Sequence, residues 1–261
     1  GTPICYKAGD QPNNALSLNV LEPGEVAATA GTSGVIYGVS DGLVYDQASR
    51  INTFAHVNYL PEKVRTGVLL CINGTGILYS WAKKWFGKEL SYAEMNALAA
   101  KVPAGAEGLR VLPFGNGAER IFENKTLGAQ FSNLDLNRHG AAELFKGITE
   151  GIAFSFRYGL DIMRENGLEA TKIKAGHANL FLSEVFQRDF VEATGLSVDL
   201  YDNDGSVGAA LGAGLGSGYF KHTHEAFGGL KQIRSIAPTK ENKYEELYQN
   251  WKEILTTKLN K

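Results

Sequence analysis

The sequence predicts an α/β domain with a mixed sheet flanked by helices. Two observations lead to this prediction. Residues 26–39 form two short runs of small and β-branched residues on either side of Gly31-Thr32-Ser33-Gly34, the pattern of a tight β-hairpin. The predicted elements then follow an order of one strand, a run of three strands, and alternating helices and strands.

The bulk composition excludes several classes of protein. The chain has 261 residues, of which 44% are hydrophobic and 21% charged, as in an ordinary globular protein. A formal net charge of −2 offers no electrostatic footprint for nucleic acid or an anionic membrane. No signal peptide is visible and no apolar run approaches the roughly 18 residues of a membrane span, so we expect a cytoplasmic protein. Cys5 and Cys71 lie in apolar runs, and we expect buried thiols in a reducing compartment.

The hairpin turn is the first candidate site. Gly31 and Gly34 permit positive φ, so the turn could direct successive backbone N–H groups into one concavity. Thr32 and Ser33 add two hydroxyl groups at the same place. Such a cup suits a phosphate, although ordinary turn chemistry accounts for the same residue types.

The elements around the hairpin are predicted from local patterns. Residues 2–8 alternate like a strand, and Asp10 or Gln11 before Pro12 is a suitable helix start. Asp10 is therefore either a helix N-cap or a carboxylate at the end of a strand, where ligands collect in α/β sheets. After the turn at 41–42 and a third strand-like run, residues 68–72 predict a strand that breaks at glycines into an apolar helix. A capping box at 91–94 opens another helix.

The second half of the chain alternates between helices and strands. Residues 109–114 are strand-like, and 137–166 have the apolar spacing of a long helix that Gly167 ends. Strands at 171–176 and 197–201 are separated by a helix at 183–194. A helix with glycine at every fourth position follows, and 240–259 predicts an amphipathic helix. The pair of histidines at 222 and 224 has no third ligand nearby, so we expect no metal site there.

Several stretches of the chain, taken in order, resemble the C-terminal half of the FGGY carbohydrate kinases, with the xylulose kinases nearest. The resemblance covers nearly the whole chain, and its ordered set of motifs is more specific than any one of them. The stretches are Gly9-Asp10-Gln11, Ala30 to Gly34, Pro113-Phe114 with Gly117 to Arg120, Gly128 to Met163, Ala175-Gly176-His177, and Gly208 to Ala213.

The resemblance implies a ribonuclease-H-like fold of the actin, hexokinase and Hsp70 superfamily. Residues 1–261 would be the second, nucleotide-binding domain, and a sugar-binding N-terminal half would precede Gly1. A start without methionine, inside a strand-like run, agrees with that expectation. The implied reaction is transfer of the γ-phosphate of ATP, with Mg²⁺, to a ketopentose, D-xylulose first. The chain alone would be nearly inactive, since the cleft needs both halves. A homodimer is also possible.

The resemblance also assigns site residues. Asp10 matches the catalytic base that takes a proton from the sugar hydroxyl, and Gln11 a neighbour that contacts the substrate. The implied loop for the β- and γ-phosphates is Gly31, Thr32 and Ser33. The implied nucleotide contacts are Gly76, with Gly74 as an alternative register, together with Gly176, His177 and Asn179. No protein ligand to a metal is implied.

The chain departs from the family at the adenosine motif, where His177 replaces a small residue. His177 could stack on adenine or narrow the pocket, which leaves an inactive regulatory relative as one alternative. A non-catalytic, actin-like nucleotide-binding module is a second alternative. It is disfavoured because such a module needs no sugar-facing base at Asp10. Ribulose, gluconate and glycerol remain alternative acceptors.

Overall fold

A seven-stranded mixed sheet forms the centre of the molecule. The structure is a computed structural model, which describes residues 1–239 and 243–260. The strands are β1 (Glu25–Ala30), β2 (Gly34–Ser40), β3 (Asn52–Ala55), β4 (Thr66–Ile72), β5 (Arg110–Leu112), β6 (Gln130–Ser132), β7 (Lys172–Gly176), β8 (Val198–Tyr201) and β9 (Gln232–Ile236). Their order in the main sheet is β3-β4-β2-β1-β7-β8-β9, while β5 and β6 form a separate antiparallel pair.

Helices cover both faces of this sheet. They are α1 (Asp10–Ser17), α2 (Gly76–Phe86), α3 (Tyr92–Ala99), α4 (Ala141–Glu165), α5 (Glu184–Thr194), α6 (Gly205–Gly216), α7 (Thr223–Phe227) and α8 (Lys243–Leu259). Alternate residues of β1 point to opposite faces. Ala27 joins the cluster beneath α1, whereas Val26 and Ala28 join the larger cluster beneath α4. Helices α1, α6 and α7 therefore form one layer, and α2, α3, α4, α5 and α8 lie on the other side.

The C-terminal helix docks as its pattern predicts. Tyr244, Tyr248, Trp251 and Leu255 are buried on one face of α8. Trp251 donates its indole N–H to the carbonyl oxygen of Val111 at 2.8 Å, which ties α8 to β5. The predicted start of this helix at 240–242 lies outside the described residues.

One edge of the sheet collects the loops that carry the candidate residues. Strands β1 and β7 run parallel, as do β7 and β8, while β2 and β4 run antiparallel. The carboxyl ends of β1, β4, β7 and β8 consequently meet at one edge. Loops 31–33, 73–75, 177–179 and 202–204 follow these ends. Ligands of open α/β sheets bind at such an edge.

The prediction of a strand over residues 2–8 is wrong. Residues 1–9 form no regular element, and within this segment Cys5 and Tyr6 lie against α6. A Cβ built on Gly212 would lie 2.7 Å from the ring of Tyr6, and one on Gly216 would lie closer still to the carbonyl oxygen of Cys5. The glycine stripe of α6 therefore packs against Cys5 and Tyr6, and residues 2–8 form no strand.

Two smaller expectations also need correction. The long helix begins at Ala141 and not at 137, because His139 accepts the Asp135 N–H at 3.0 Å in a turn before it. Cys5 and Cys71 are half-buried and not fully buried, and both are free thiols. Across the part of the chain that is described, no helix is long and apolar enough to span a bilayer.

His56 joins the sheet to the loop that precedes β1. Its Nε2–H donates to the carbonyl oxygen of Val20 at 2.9 Å, so Nδ1 accepts the hydroxyl proton of Tyr37 at 3.0 Å. This neutral imidazole is buried, and burial lowers the pKa of His56 to about 4 from its usual 6.5.

We expect the free energy of unfolding to fall as the pH drops from about 6.5 to about 4. In that range the unfolded chain takes up a proton on His56 that the folded chain excludes. The loss is on the order of 3 kcal/mol. Urea denaturation at several pH values should show it in the wild type and not in His56→Gln. The exposed His222→Gln is the control, and a His56→Gln profile parallel to the wild type would contradict the assignment.

Candidate active site

The hairpin at the sheet edge connects β1 to β2 through Gly31, Thr32 and Ser33. Ala30 pairs with Gly34 and closes it, as predicted. Neither Gly31 nor Gly34 adopts positive φ, so that part of the prediction is wrong. Gly34 is required for packing instead, because a Cβ there would lie under 3.0 Å from Phe156 and from the methyl group of Thr75.

The start of α2 donates hydrogen bonds to the carbonyl groups of the hairpin. Gly76 donates its N–H to the carbonyl oxygen of Gly31 at 3.0 Å, and Ile77 donates to that of Thr32 at 3.1 Å. The buried hydroxyl of Thr75 lies 3.2 and 3.1 Å from the same two oxygens. Because C=O and N–H point in opposite directions in a trans peptide, the N–H groups of Thr32 and Ser33 are directed away from α2.

These outward donors are free. The N–H groups and hydroxyls of Thr32 and Ser33 make no hydrogen bond with any group in residues 1–239 and 243–260. The N–H of Gly31 is different, since it donates to the carbonyl oxygen of Ser33 at 3.1 Å. The turn therefore offers two backbone donors and two hydroxyls, a set that suits an anion without any positive side chain.

A cavity of about 410 Å³ opens beside the hairpin. Its walls come from the hairpin, from α2 and α3, and from the turn after β7. The lining residues are Ala30, Gly31, Thr32, Gly76, Tyr79, Ser80, Tyr92, Asn96, Asn179, Leu180, Leu182 and Ser183. This mixture of aromatic, aliphatic and amide groups is typical of small-molecule sites.

The outer wall of the cavity was missed by sequence reasoning. The hydroxyl of Tyr79 donates to Asn96 Oδ1 at 2.7 Å, and the rings of Tyr79 and Tyr92 stack at 6.0 Å. Burial raises the pKa of Tyr79, so this hydroxyl remains a donor at neutral pH. The spacing of Tyr92 and Asn96 places them on one helix face, but only the tertiary packing brings that face to α2.

Gly76 and Gly74 have different surroundings. Gly76 lines the cavity, and a Cβ there would lie under 3.0 Å from the carbonyl oxygen of Gly31. Gly74 faces away, under the backbone of Pro113 and Phe114. Of the two glycines that the resemblance could assign to the nucleotide contact, only Gly76 lies at the cavity.

The turn after β7 contributes one of its three predicted residues to the cavity wall. Asn179 lines the cavity and adopts a left-handed φ of 53°. Gly176 faces the next loop instead, because a Cβ there would lie 3.0 Å from the carbonyl oxygen of Asn203. His177 is exposed, and its backbone N–H donates to the carbonyl oxygen of Tyr201 at 2.8 Å. His177 does not line the cavity and therefore does not narrow it.

Asp10 begins α1 outside the cavity. Gly9 occupies the N-cap position and no strand precedes it, so both sequence-based placements of Asp10 are wrong. The exposed carboxylate accepts the Gln11 N–H at 2.8 Å, and the side-chain amide of Gln11 lies 3.5 Å from its second oxygen. One turn later, Asn14 donates to the Thr29 hydroxyl at 3.3 Å, which holds α1 against the strand that enters the hairpin.

The negative charge of Asp10 also acts on Cys71, a residue of β4. The pKa of the Cys71 thiol is raised mainly by burial, and the negative charge of Asp10 adds to that shift. Cys71 pairs with Val35, the second residue of β2 after the hairpin. Asp10 thus lies within electrostatic reach of the strand beside the hairpin.

Comparison with known proteins finds sugar kinases among the relatives of this chain. The Lactococcus lactis xylulose kinase is 30% identical over 271 residues, covering 95% of this chain and 50% of that protein. The Escherichia coli xylulose kinase is 26% identical over 213 residues, covering 81% of this chain and 42% of that protein. The crystal structure of the Rhodospirillum rubrum xylulose kinase superposes with a TM-score of 0.85 at 25% identity, over 96% of this chain and 50% of that one.

The chain has the fold of the actin/hexokinase-like sugar kinases. The predicted fold class is therefore confirmed. The chain spans about half the length of these relatives. No family model matches it.

In this sugar-kinase fold, the close approach of Gly76 to the hairpin generates a stability prediction. Gly76→Ala should destabilise the chain by about 1–3 kcal/mol, because the added methyl group forces apart the hairpin and the first turn of α2. Thermal unfolding followed by circular dichroism measures the loss. Gly42→Ala is the matched control, since no atom lies within 4 Å of its built Cβ. Equal melting temperatures for the two variants would contradict the packing argument.

Proposed function

We propose that this chain is the nucleotide-binding half of an ATP-dependent sugar kinase. The acceptor is a ketopentose. D-xylulose is the leading candidate, because the relatives described above are named for xylulose. The observation that carries the proposal is the hairpin at residues 31–33, whose free donors face outward at the ligand edge of this fold. A sugar-binding half completes the cleft on the side of Asp10.

The hairpin would hold the transferable end of ATP. Phosphoryl transfer passes through a loose transition state, so catalysis depends mainly on positioned donors and charge stabilisation. The N–H groups of Thr32 and Ser33 and their hydroxyls are such donors. Their direction is set before ligand arrives, because the carbonyl groups behind them are already bonded to α2.

The cavity beside the hairpin would receive the nucleoside. Thr32 and Gly76 line it beside the hairpin, and the stacked rings of Tyr79 and Tyr92 line it as well. Asn179 adds a side-chain amide to the same lining. Aromatic and amide groups of this kind suit a purine and a ribose.

Mg²⁺ would be held by phosphate oxygens of ATP. Within the described residues, no group of three or more His, Cys, Asp or Glu side chains could hold a metal ion. Mg²⁺ commonly keeps several waters and uses substrate phosphates as ligands, so it needs no dedicated cluster. When bound, it would neutralise charge on the phosphates.

Asp10 would act as the general base. Its carboxylate would accept the proton of the acceptor hydroxyl while that oxygen bonds to the γ-phosphorus and the bond to the β-phosphate oxygen breaks, releasing ADP. Gln11 lies against the carboxylate and orients it. A carboxylate so placed has no role in a non-catalytic nucleotide-binding module, which favours the kinase.

Thr32→Val should weaken binding of MgATP by roughly 10- to 100-fold, because it removes a hydroxyl donor to a charged phosphate while keeping the side-chain shape. Binding of adenosine should change less than about twofold, since adenosine has no phosphate. Isothermal titration calorimetry of the chain measures both. Thr256→Val, on the exposed side of α8, is the matched control. Equal loss for MgATP and adenosine would contradict a phosphate-binding hairpin.

Asp10→Asn should lower turnover by about 100-fold or more, since an amide cannot take the acceptor proton. The assay is ADP release by this chain joined to a sugar-binding half, with D-xylulose, ribulose, gluconate and glycerol as acceptors. Asp41→Asn, another exposed carboxylate, should leave turnover unchanged. Turnover by Asp10→Asn within a few-fold of wild type would show that Asp10 is not the base. Preference for an acceptor other than D-xylulose would replace D-xylulose as the proposed substrate.

A further inference from the structure

A buried carboxylate lies beneath the turn that holds the hairpin. Glu119 is 0% exposed and forms no salt bridge within residues 1–239 and 243–260. Its Oε2 accepts the N–H of Asn73 at 2.8 Å and its Oε1 accepts the N–H of Gly74 at 2.7 Å. Burying a carboxylate is costly unless such bonds compensate, and burial raises the pKa of Glu119. A group kept at this cost requires an explanation.

The segment around Glu119 clamps residues 73 and 74 by further contacts. Asn73 donates its side-chain amide to the carbonyl oxygen of Ala118 at 2.6 Å, and Asn116 donates to that of Asn73 at 3.0 Å. Gly74 lies so close to Pro113 that a Cβ would come under 3.0 Å from its carbonyl oxygen. Residues 113–119 therefore fix the end of β4 where it turns toward α2.

The same turn fixes the hairpin. Directly after Gly74, Thr75, Gly76 and Ile77 bond to the carbonyl oxygens of Gly31 and Thr32 at 3.0 to 3.2 Å. Two layers of hydrogen bonds thus connect the Glu119 carboxylate to the hairpin. The first joins the carboxylate to residues 73 and 74, and the second joins residues 75–77 to the hairpin carbonyls. Any shift of the turn would redirect the N–H groups of Thr32 and Ser33.

We propose that Glu119 is a positioning residue that orients the hairpin donors for phosphate, acting through the 73–77 turn and without touching the ligand. This inference rests on the proposed nucleotide-binding function. Hydrogen-bond chemistry predicts how the Glu119→Gln substitution should act. Glu119→Gln places an amide N–H against a backbone N–H, which breaks one of the two bonds and lets the turn move.

Electrostatics alone predicts the opposite result. Removing a negative charge near a triphosphate site should strengthen binding of MgATP, because like charges repel. A loss of affinity in Glu119→Gln therefore distinguishes positioning from a charge effect by sign. It also differs from simple destabilisation, which would affect phosphate-bearing and phosphate-free ligands alike.

The matched control is Glu150→Gln. Glu150 is likewise buried and accepts a backbone N–H, that of Gly105 at 2.8 Å, although unlike Glu119 it also pairs with Lys146 at 3.4 Å. It belongs to α4 and has no bond to the hairpin or the 73–77 turn. Both variants remove a buried carboxylate that accepts a loop N–H. Only Glu119→Gln should alter the phosphate site.

Calorimetry should show that Glu119→Gln weakens MgATP about tenfold relative to adenosine, whereas Glu150→Gln leaves that ratio unchanged. Amide hydrogen exchange provides a second readout that needs no nucleotide. Exchange at Gly76 and Ile77, whose N–H groups bond to the hairpin, should accelerate in Glu119→Gln and not in Glu150→Gln. Asn116→Ala, which removes one bond of the clamp, should have a smaller effect in the same direction and serves if Glu119→Gln does not fold.

Several results would overturn the assignment. Equal weakening of MgATP and adenosine, tighter MgATP binding, or unchanged exchange at Gly76 and Ile77 each contradicts positioning by Glu119. If the wild type binds neither ligand while exchange responds as expected, the proposed nucleotide function fails and the mechanical link from Glu119 to the hairpin stands.

Discussion

The hydrogen bonds between the start of α2 and the carbonyl oxygens of Gly31 and Thr32 are the constraint on which the candidate site depends. They use the inner side of two peptide units, and peptide planarity then leaves the N–H groups of Thr32 and Ser33 on the outer side. The donors are therefore preorganised by bonds that a ligand does not touch. Such preorganisation avoids the cost of reorienting dipoles when charge arrives.

The contact between the hairpin and the start of α2 explains why glycine occupies the positions around it, and turn conformation does not. Gly34 and Gly76 are small because Phe156, Thr75 and the hairpin backbone occupy the space where a Cβ would lie. Close approach and not positive φ is the requirement at these positions. Three elements that are distant in the sequence can then meet at one point of the sheet edge.

Charge has little part in this arrangement. The site offers neutral donors from the backbone and from hydroxyl groups, whereas the Asp10 carboxylate lies at the start of α1 and accepts the Gln11 N–H. The proposed phosphate site at the hairpin and the proposed base Asp10 are on different elements, which suits a reaction in which the acceptor enters between them. The proposed second half of the kinase would then cover the exposed carboxylate and exclude water.

The sequence by itself determined the elements whose causes are local. The hairpin at 31–34, the capping box at 91–94, the long helix ended by Gly167 and the apolar face of α8 all follow from patterns within a few turns of chain. Only the tertiary structure decided which groups are free, which carbonyls are bonded, and that Tyr92 and Asn96 wall the cavity. It also decided that Cys5 and Tyr6 lie on the glycine face of α6 and that residues 2–8 form no strand, because a strand forms only where a partner edge is available.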